Sequence, residues 1–270
     1  MSETAAAQTE EQLLIVEAGG VMTLTLNRPK VLNSLTLGML KGLMDALKSA
    51  EKRPEIRCVV ITATGRAFCA GADLGDLRKR QTEAPFSLGE ELQGHFNPLI
   101  QQIRRMEKPV LGAVNGLAAG AGASLILACD IKVAAEEASF ICAFVRVGLV
   151  PDSGMTWMLP RTLGLSKALE HAWTAQPITA QQALEAGLVN HVVPPYRLEA
   201  TTLALAAKLV EAPPRAVALT KRVMNRSWEN SLDAQLEYEA QLQEVLGKTK
   251  DHAEGVAAFL EKRAPKFTGE

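Results

Sequence analysis

Aromatic residues make up only 4% of the 270-residue sequence. Stacking platforms for single-stranded nucleic acid depend on such rings, so that function class fits poorly. Neither sign of charge is in excess: 29 Lys+Arg face 30 Asp+Glu, a net charge of -1. No global field therefore gathers nucleic acid or an anionic membrane, although a few placed cations can still act locally. None of Cys58, Cys69, Cys129 and Cys142 forms a C-x-x-C pair, and His95, His171, His191 and His252 lie far apart. Zinc-type spacing is thus missing, no metal site is expected, and free thiols among apolar neighbours suit a reducing cytoplasm. Residues 1–12 have neither a basic n-region nor an apolar h-region, so they read as a disordered lead rather than a signal peptide. The uncharged stretch from Pro109 to Cys129 matches a membrane span in length, yet Asn115, Ser124 and its glycines break any lipid-facing surface. A buried strand, a tight turn and a buried helix account for it better.

What the sequence does have is apolar mass and small residues: 47% hydrophobic, with 20 glycines and alanine throughout. Against roughly 150 residues per domain, the length suits one large domain or two small ones. Leu13–Val16 and Val21–Leu26 flank Ala18-Gly19-Gly20 and predict a β-hairpin. Thr36 predicts the cap of a helix with Leu37, Leu40, Leu43, Met44 and Leu47 on one face. Buried strands follow at Cys58–Ile61, Val110–Val114 and Ile131–Ala134, separated by long crossovers. That order predicts an α/β fold with a parallel sheet. Beyond Pro160 the pattern turns helical, with helices expected at 166–173, 179–186, 198–210, 215–227 and 232–246. The division expected is an α/β core over 13–195 and a helical region over 196–270.

Two glycine-rich turns each follow a predicted strand: Gly65–Leu74 and Asn115–Ser124. Small residues let a ligand or another backbone come close, and a helix N-terminus presents unpaired N–H groups. Two such donors aimed at one point would make an oxyanion hole; tight packing of small residues is the plainer alternative. Gly120-Ala121-Gly122 begins like a dinucleotide fingerprint, but Leu125 replaces the last glycine, and no Walker lysine follows. A third turn, Gly148–Gly154, places Asp152 just before an apolar helix. Asp152 could serve as a helix cap, or as a partly desolvated carboxylate suited to proton transfer. Ser153 lacks both a G-x-S-x-G frame and a nearby histidine, so a nucleophilic role fits it poorly.

Taken together, FCAGADL (68–74), VNGLAAGAGASLILACD (114–130), GLVPDSG (148–154) and AFLEKRAPKF (258–267) resemble the crotonase, or enoyl-CoA hydratase/isomerase, superfamily. The resemblance runs from Leu13 to Thr268. PDSG-x-TW-x-LPR (151–161) is most similar to the branch that isomerises ring-epoxide acyl-CoA thioesters in phenylacetate catabolism. It implies a spiral of ββα units with a helical C-terminal trimerisation region, assembled as a homotrimer or a dimer of trimers. It implies an acyl-CoA substrate, with coenzyme A as part of the substrate and no separate cofactor. The backbone N–H groups of Ala70 and Ala121 would polarise the thioester carbonyl. Arg28, Lys30, Leu32, Gly71, Ala72, Asp73 and Leu74 would line the CoA path, and Phe259 and Lys262 would reach the CoA of an adjacent subunit. Neither nucleic acid nor a membrane is expected as a partner.

Departures from the family pattern then bear on the reaction. The two glutamates with which the family's hydratases hold water fall on Ser124 and Phe144. Asp152 instead matches the aspartate of the family's isomerases and aryl-CoA dehalogenases, and the histidine that dehalogenases add is missing from Leu74 to Arg80. The resemblance therefore implies isomerisation with Asp152 as the proton carrier and Phe144 as a dry wall. Hydration of a 2-enoyl-CoA and acyl-CoA binding with little turnover are the alternatives. The polar segment 78–94 is expected to cover the acyl end of the pocket.

Overall fold

The computed structural model describes residues 11–83 and 85–270. Most of the expected lead, residues 1–10, lies outside the described residues. Gln12 is tied to the core: its carbonyl accepts the Asn27 N–H at 2.8 Å and its side chain accepts the Thr36 hydroxyl at 2.7 Å.

The hairpin forms as expected, with β1 (Leu13–Ala18) and β2 (Val21–Leu26) antiparallel from Leu13 opposite Leu26 to Ala18 opposite Val21. Helix α1 (Leu37–Lys52) starts where the Thr36 side chain accepts the Met39 N–H, and it buries Leu40, Leu43 and Leu47 on one face. Removing a large apolar side chain from water is worth about 1.5–3 kcal/mol, so that face outweighs intrinsic propensity in holding the helix. Next come β3 (Cys58–Ala63), β4 (Ala67–Cys69), α2 (Leu74–Glu83), α3 (Leu88–Glu91), a π-turn (Leu92–Phe96) and α4 (Asn97–Arg105). β5 (Val110–Val114), β6 (Leu117–Ala119) and α5 (Ala121–Ala128) occupy the uncharged stretch, followed by β7 (Ile131–Ala135) and β8 (Ser139–Ile141). No helix among the described residues is long and apolar enough to cross a membrane. α6 (Met155–Leu163), α7 (Leu165–Thr174), β9 (Ile178–Thr179), α8 (Ala180–Glu185) and β10 (His191–Val193) lead into α9 (Leu198–Glu211), α10 (Pro214–Arg226), α11 (Leu232–Leu246) and α12 (Lys250–Glu261).

One sheet runs β1-β2-β3-β5-β7-β10 and the other β4-β6-β8-β9. β3, β5 and β7 each send the next strand across to the smaller sheet, so three successive strand pairs build both layers. This is the ββα architecture that the family resemblance implies. Along β3 and β5 the side chains alternate: Val59, Ile61, Val110 and Val114 join the main core, while Cys58, Val60, Leu111 and Ala113 face Leu198 and Ala206 of α9. Both faces of the larger sheet are covered, which is why its strands read as nearly unbroken apolar runs.

α9 thus belongs to the core although it lies in the region 196–270. α10 is pinned there by Lys221, whose ammonium donates to the carbonyls of Ile103 and Lys108 and pairs with Asp130 at 2.7 Å. α11 buries no residue at all. The polar segment from Arg78 onward starts inside helix α2. α2 lacks an apolar face, and its start is fixed instead by Asp73, whose carboxylate accepts the N–H groups of Gly75 and Asp76.

Candidate active site

The two glycine-rich turns meet at the C-terminal ends of β4 and β6. Gly71 has φ +103°, and an added Cβ would come within 3.1 Å of the Ala119 carbonyl and 3.6 Å of the Ala121 nitrogen. Gly122 packs on Cys69 so tightly that an added Cβ would stand 2.5 Å from the Cys69 carbonyl oxygen. Glycine at both positions lets the turns touch.

Which N–H groups remain free at this junction is fixed by a third segment. Leu32 and Asn33 both adopt left-handed backbone, and the buried Asn33 amide donates to the carbonyls of Thr64 and Ala67. Leu32 is thereby placed to accept the Ala70 N–H at 2.9 Å. The family resemblance implies a substrate-facing donor at Ala70; the structure differs, because that N–H is already engaged by Leu32. Leu35 bridges Ala72 by donating to Gly71 and accepting from Asp73, so the N–H of Ala72 itself points away from Leu35. It meets no acceptor among the described residues, and neither does the N–H of Ala121, the first residue of α5. The unengaged pair is Ala72 and Ala121.

Opposite lies the turn before α6. Asp152 does not cap that helix, whose N-cap is Gly154 without a side-chain bond. Its carboxylate Oδ1 accepts the Ser153 hydroxyl at 2.8 Å, and its backbone carbonyl accepts the Ser124 hydroxyl at 3.1 Å. Burial pushes the Asp152 carboxyl up from its ordinary range, and the Ser153 bond counters part of that rise. Cys142, beside it, is pushed up to about 11 by burial and by the charge of Asp152.

These elements enclose a cavity of about 340 Å³ to which Ala70, Gly71, Ala72, Ala121, Phe144 and Asp152 all contribute. Phe144 is buried and forms part of an apolar lining to which Leu77, Leu92 and Phe96 also contribute. The 78–94 segment contributes Arg80, Leu88, Glu91 and Leu92 to the cavity lining. It also brings in an ion pair that sequence reasoning missed, Arg80 with Glu91. A larger cleft of about 710 Å³ runs along α10 and α11, and three of the arginines lining it are engaged, Arg104 with Asn225, Arg222 with Glu107 and Arg226 with Glu229.

The other expected site residues divide. Arg28 donates to Asp73 at 2.7 Å and to the Ser34 carbonyl, so this pair anchors the turn. Burial alone would raise the Asp73 carboxyl, but hydrogen bonds from Arg28, Asp76 and Gly75 hold it below its usual range. Lys30 lies exposed on the same turn, and Leu74 is half-exposed at the cavity edge. Phe259 and Lys262 stand exposed at the end of α12 and line no part of this cavity. Among the described residues, no three His, Cys, Asp or Glu side chains gather as a metal site would require.

A ββα spiral that brings two unengaged backbone donors to one apolar cavity defines an enzyme class with the crotonase fold. The sequence matches the enoyl-CoA hydratase/isomerase family over residues 17–270, and the chain belongs to that family. It is 44% identical over 250 residues to the 1,2-epoxyphenylacetyl-CoA isomerase of Escherichia coli K12, covering 93% of this chain and 95% of that protein. It is 37% identical to the 2,3-dehydroadipyl-CoA hydratase of the same organism, covering 96% and 99%. The crystal structure of an enoyl-CoA hydratase from Polaromonas sp. JS666 superposes with a TM-score of 0.90 at 38% identity, covering 94% of this chain and 99% of that one. Isomerases and hydratases both occur among these relatives, and the chain is an enzyme of their family.

Proposed function

We propose that the protein is an acyl-CoA isomerase in which Asp152 carries a proton between two positions of an enolised thioester. The observation that supports this best is the carboxylate inventory of the cavity. Glu91 is paired with Arg80, which leaves Asp152 with one oxygen, Oδ2, that has no partner among the described residues. The thioester oxygen would sit between the N–H groups of Ala72 and Ala121, where backbone donors stabilise developing negative charge without any particular side chain. Asp152 would take a proton from the α carbon of a 3-enoyl thioester and return it to the γ carbon, giving the conjugated 2-enoyl product. Syn hydration calls for a held and activated water; at the positions where the family's hydratases carry glutamates stand Ser124, hydrogen-bonded to the backbone, and the apolar Phe144.

The name of the relative at 44% identity supports a ring-epoxide acyl-CoA as the particular substrate. Coenzyme A would enter as part of the substrate, along the turn that carries Lys30. The exposed Phe259 and Lys262 would meet the CoA of an adjacent subunit in a homotrimer or a dimer of trimers. α11, which buries nothing while exposing Leu232, Leu236 and Val245, supports such an assembly. Four buried free cysteines support a reducing, cytoplasmic setting.

The test compares native protein with Asp152→Asn on a 3-enoyl-CoA, on crotonyl-CoA and on the ring epoxide of phenylacetyl-CoA. Isomerisation should dominate and fall by about 10²–10⁴ in the variant, the usual contribution of a positioned acid–base group. Rapid hydration of crotonyl-CoA that survives the substitution would assign the protein to the hydratases. Tight CoA binding without turnover of any substrate would make it a binding member.

A further inference from the structure

Ser153 adopts φ +51° and is followed by Gly154 at φ +79°, so two consecutive residues are left-handed. Glycine adopts this backbone freely, whereas a side chain there is strained and persists only where its surroundings hold it. Ser153 is also buried, at 3% exposure, and its hydroxyl reaches one acceptor, Asp152 Oδ1 at 2.8 Å. A second serine acts on the same residue from another element. Ser124 on α5 is fully buried, and its hydroxyl lies 3.1 Å from the Asp152 carbonyl and 3.4 Å from that of Gly120. The Asp152 carbonyl further accepts the Met155 N–H at 2.9 Å. α5 thus presents the Ala121 N–H at its first residue and, one turn later, fastens the backbone of the residue opposite.

We propose that Ser153 and Ser124 are positioning residues for Asp152: Ser153 ties up Oδ1 so that Oδ2 faces the reacting carbon, and Ser124 fixes the Asp152 backbone relative to the oxyanion donors. This rests on the assignment of Asp152 as the proton carrier. The two serines differ in what they do to the charge. The Ser153 bond favours the ionised carboxylate, whereas the Ser124 bond goes to a backbone oxygen and leaves the carboxylate alone. The titratable groups facing Asp152 from other elements are Cys142, ahead of the 3₁₀ turn Ala143–Val147, and the Arg80–Glu91 pair across the cavity. None of these carries a hydrogen bond to Asp152 that could replace the one from Ser153.

The experiment measures kcat, KM and the pH dependence of 3-enoyl-CoA isomerisation for native protein, Ser153→Gly, Ser153→Ala, Ser124→Ala and Asp152→Asn. Ser153→Gly removes the backbone strain, so folding is not at risk. A misaligned reacting group costs about 10²-fold, so kcat should drop about 10- to 100-fold in all three serine variants, with KM within about twofold of native. The rising limb of the pH profile follows ionisation of Asp152, and loss of the Ser153 bond raises its pKa. That limb should therefore move to higher pH in both Ser153 variants and stay in place for Ser124→Ala. A native kcat and an unmoved limb in Ser153→Gly would overturn the role of Ser153, and native turnover in Ser124→Ala would overturn that of Ser124. Loss of activity in Ser153→Ala with full activity in Ser153→Gly would show that only backbone shape matters, which also overturns the proposal. If Asp152→Asn is as active as native protein, the underlying assignment fails instead.

Discussion

The backbone N–H of Ala70 donates to the carbonyl of Leu32 at 2.9 Å. That bond removes one of three alanine N–H groups from contention at the cavity floor and leaves Ala72 and Ala121 as the pair that can meet a thioester oxygen.

Because all three residues are alanines, each can be replaced in turn by lactic acid, which exchanges the N–H for an ester oxygen and keeps the methyl group. Loss of one oxyanion donor typically costs about 10²–10³ in kcat. Turnover should fall by that order at Ala72 and at Ala121, with thermal stability nearly unchanged. At Ala70 the same replacement should lower the melting temperature and spare much of the turnover. Equal kinetic losses at Ala70 and Ala72 would refute this assignment.

The main lines of the fold are legible in the sequence because they rest on long periodic signals. The hairpin, the Thr36-capped helix α1, the apolar strands β3, β5 and β7, and helix α11 at Leu232–Leu246 all lie where the pattern predicts. β4, β6 and β8 have three residues each, too few to show alternation. α2 has only Leu74 and Leu77 as large apolar residues, so its helical period is invisible. The site was legible as three turns and an aspartate. The choice between Ala70 and Ala72 was not, because it depends on a carbonyl in a distant left-handed turn. The Arg80–Glu91 pair stayed hidden for a related reason: it joins a residue of α2 to one of α3 and so depends on where the two helices are placed.

Close approach of the two turns makes Gly122 intolerant of any side chain. Gly122→Ala should destabilise the protein by about 1–3 kcal/mol, the usual cost of overpacking, visible as a lower midpoint in thermal or urea unfolding. Cys69→Ala should not rescue it, because the nearest atom, 2.5 Å from the added Cβ, is the Cys69 carbonyl oxygen rather than the sulfur.

The Arg28–Asp73 pair should show its charge in the pH dependence of stability. The Asp73 carboxyl titrates below its ordinary value of 3.8 in the folded chain, so its stabilisation is fully present above that value. It is lost as the pH falls through the lowered folded pKa. Arg28→Ala should cost about 2 kcal/mol at neutral pH, in line with hydrogen bonds to charged groups. The gap between native and variant in urea unfolding should narrow as the pH drops below 3.8, and a gap that stays constant would show that the guanidinium acts by packing alone.

Proton transfer by Asp152 is tested most directly by following 3-hexenoyl-CoA in heavy water with native protein and with Asp152→Asn. The account predicts that native protein yields conjugated 2-hexenoyl-CoA whose new γ hydrogen is substantially protium carried over from the α carbon rather than deuterium from the solvent, and that the variant forms it at least about 10²-fold more slowly. Conversion by the variant at the native rate, or a native product that is only the hydrated thioester, would contradict it.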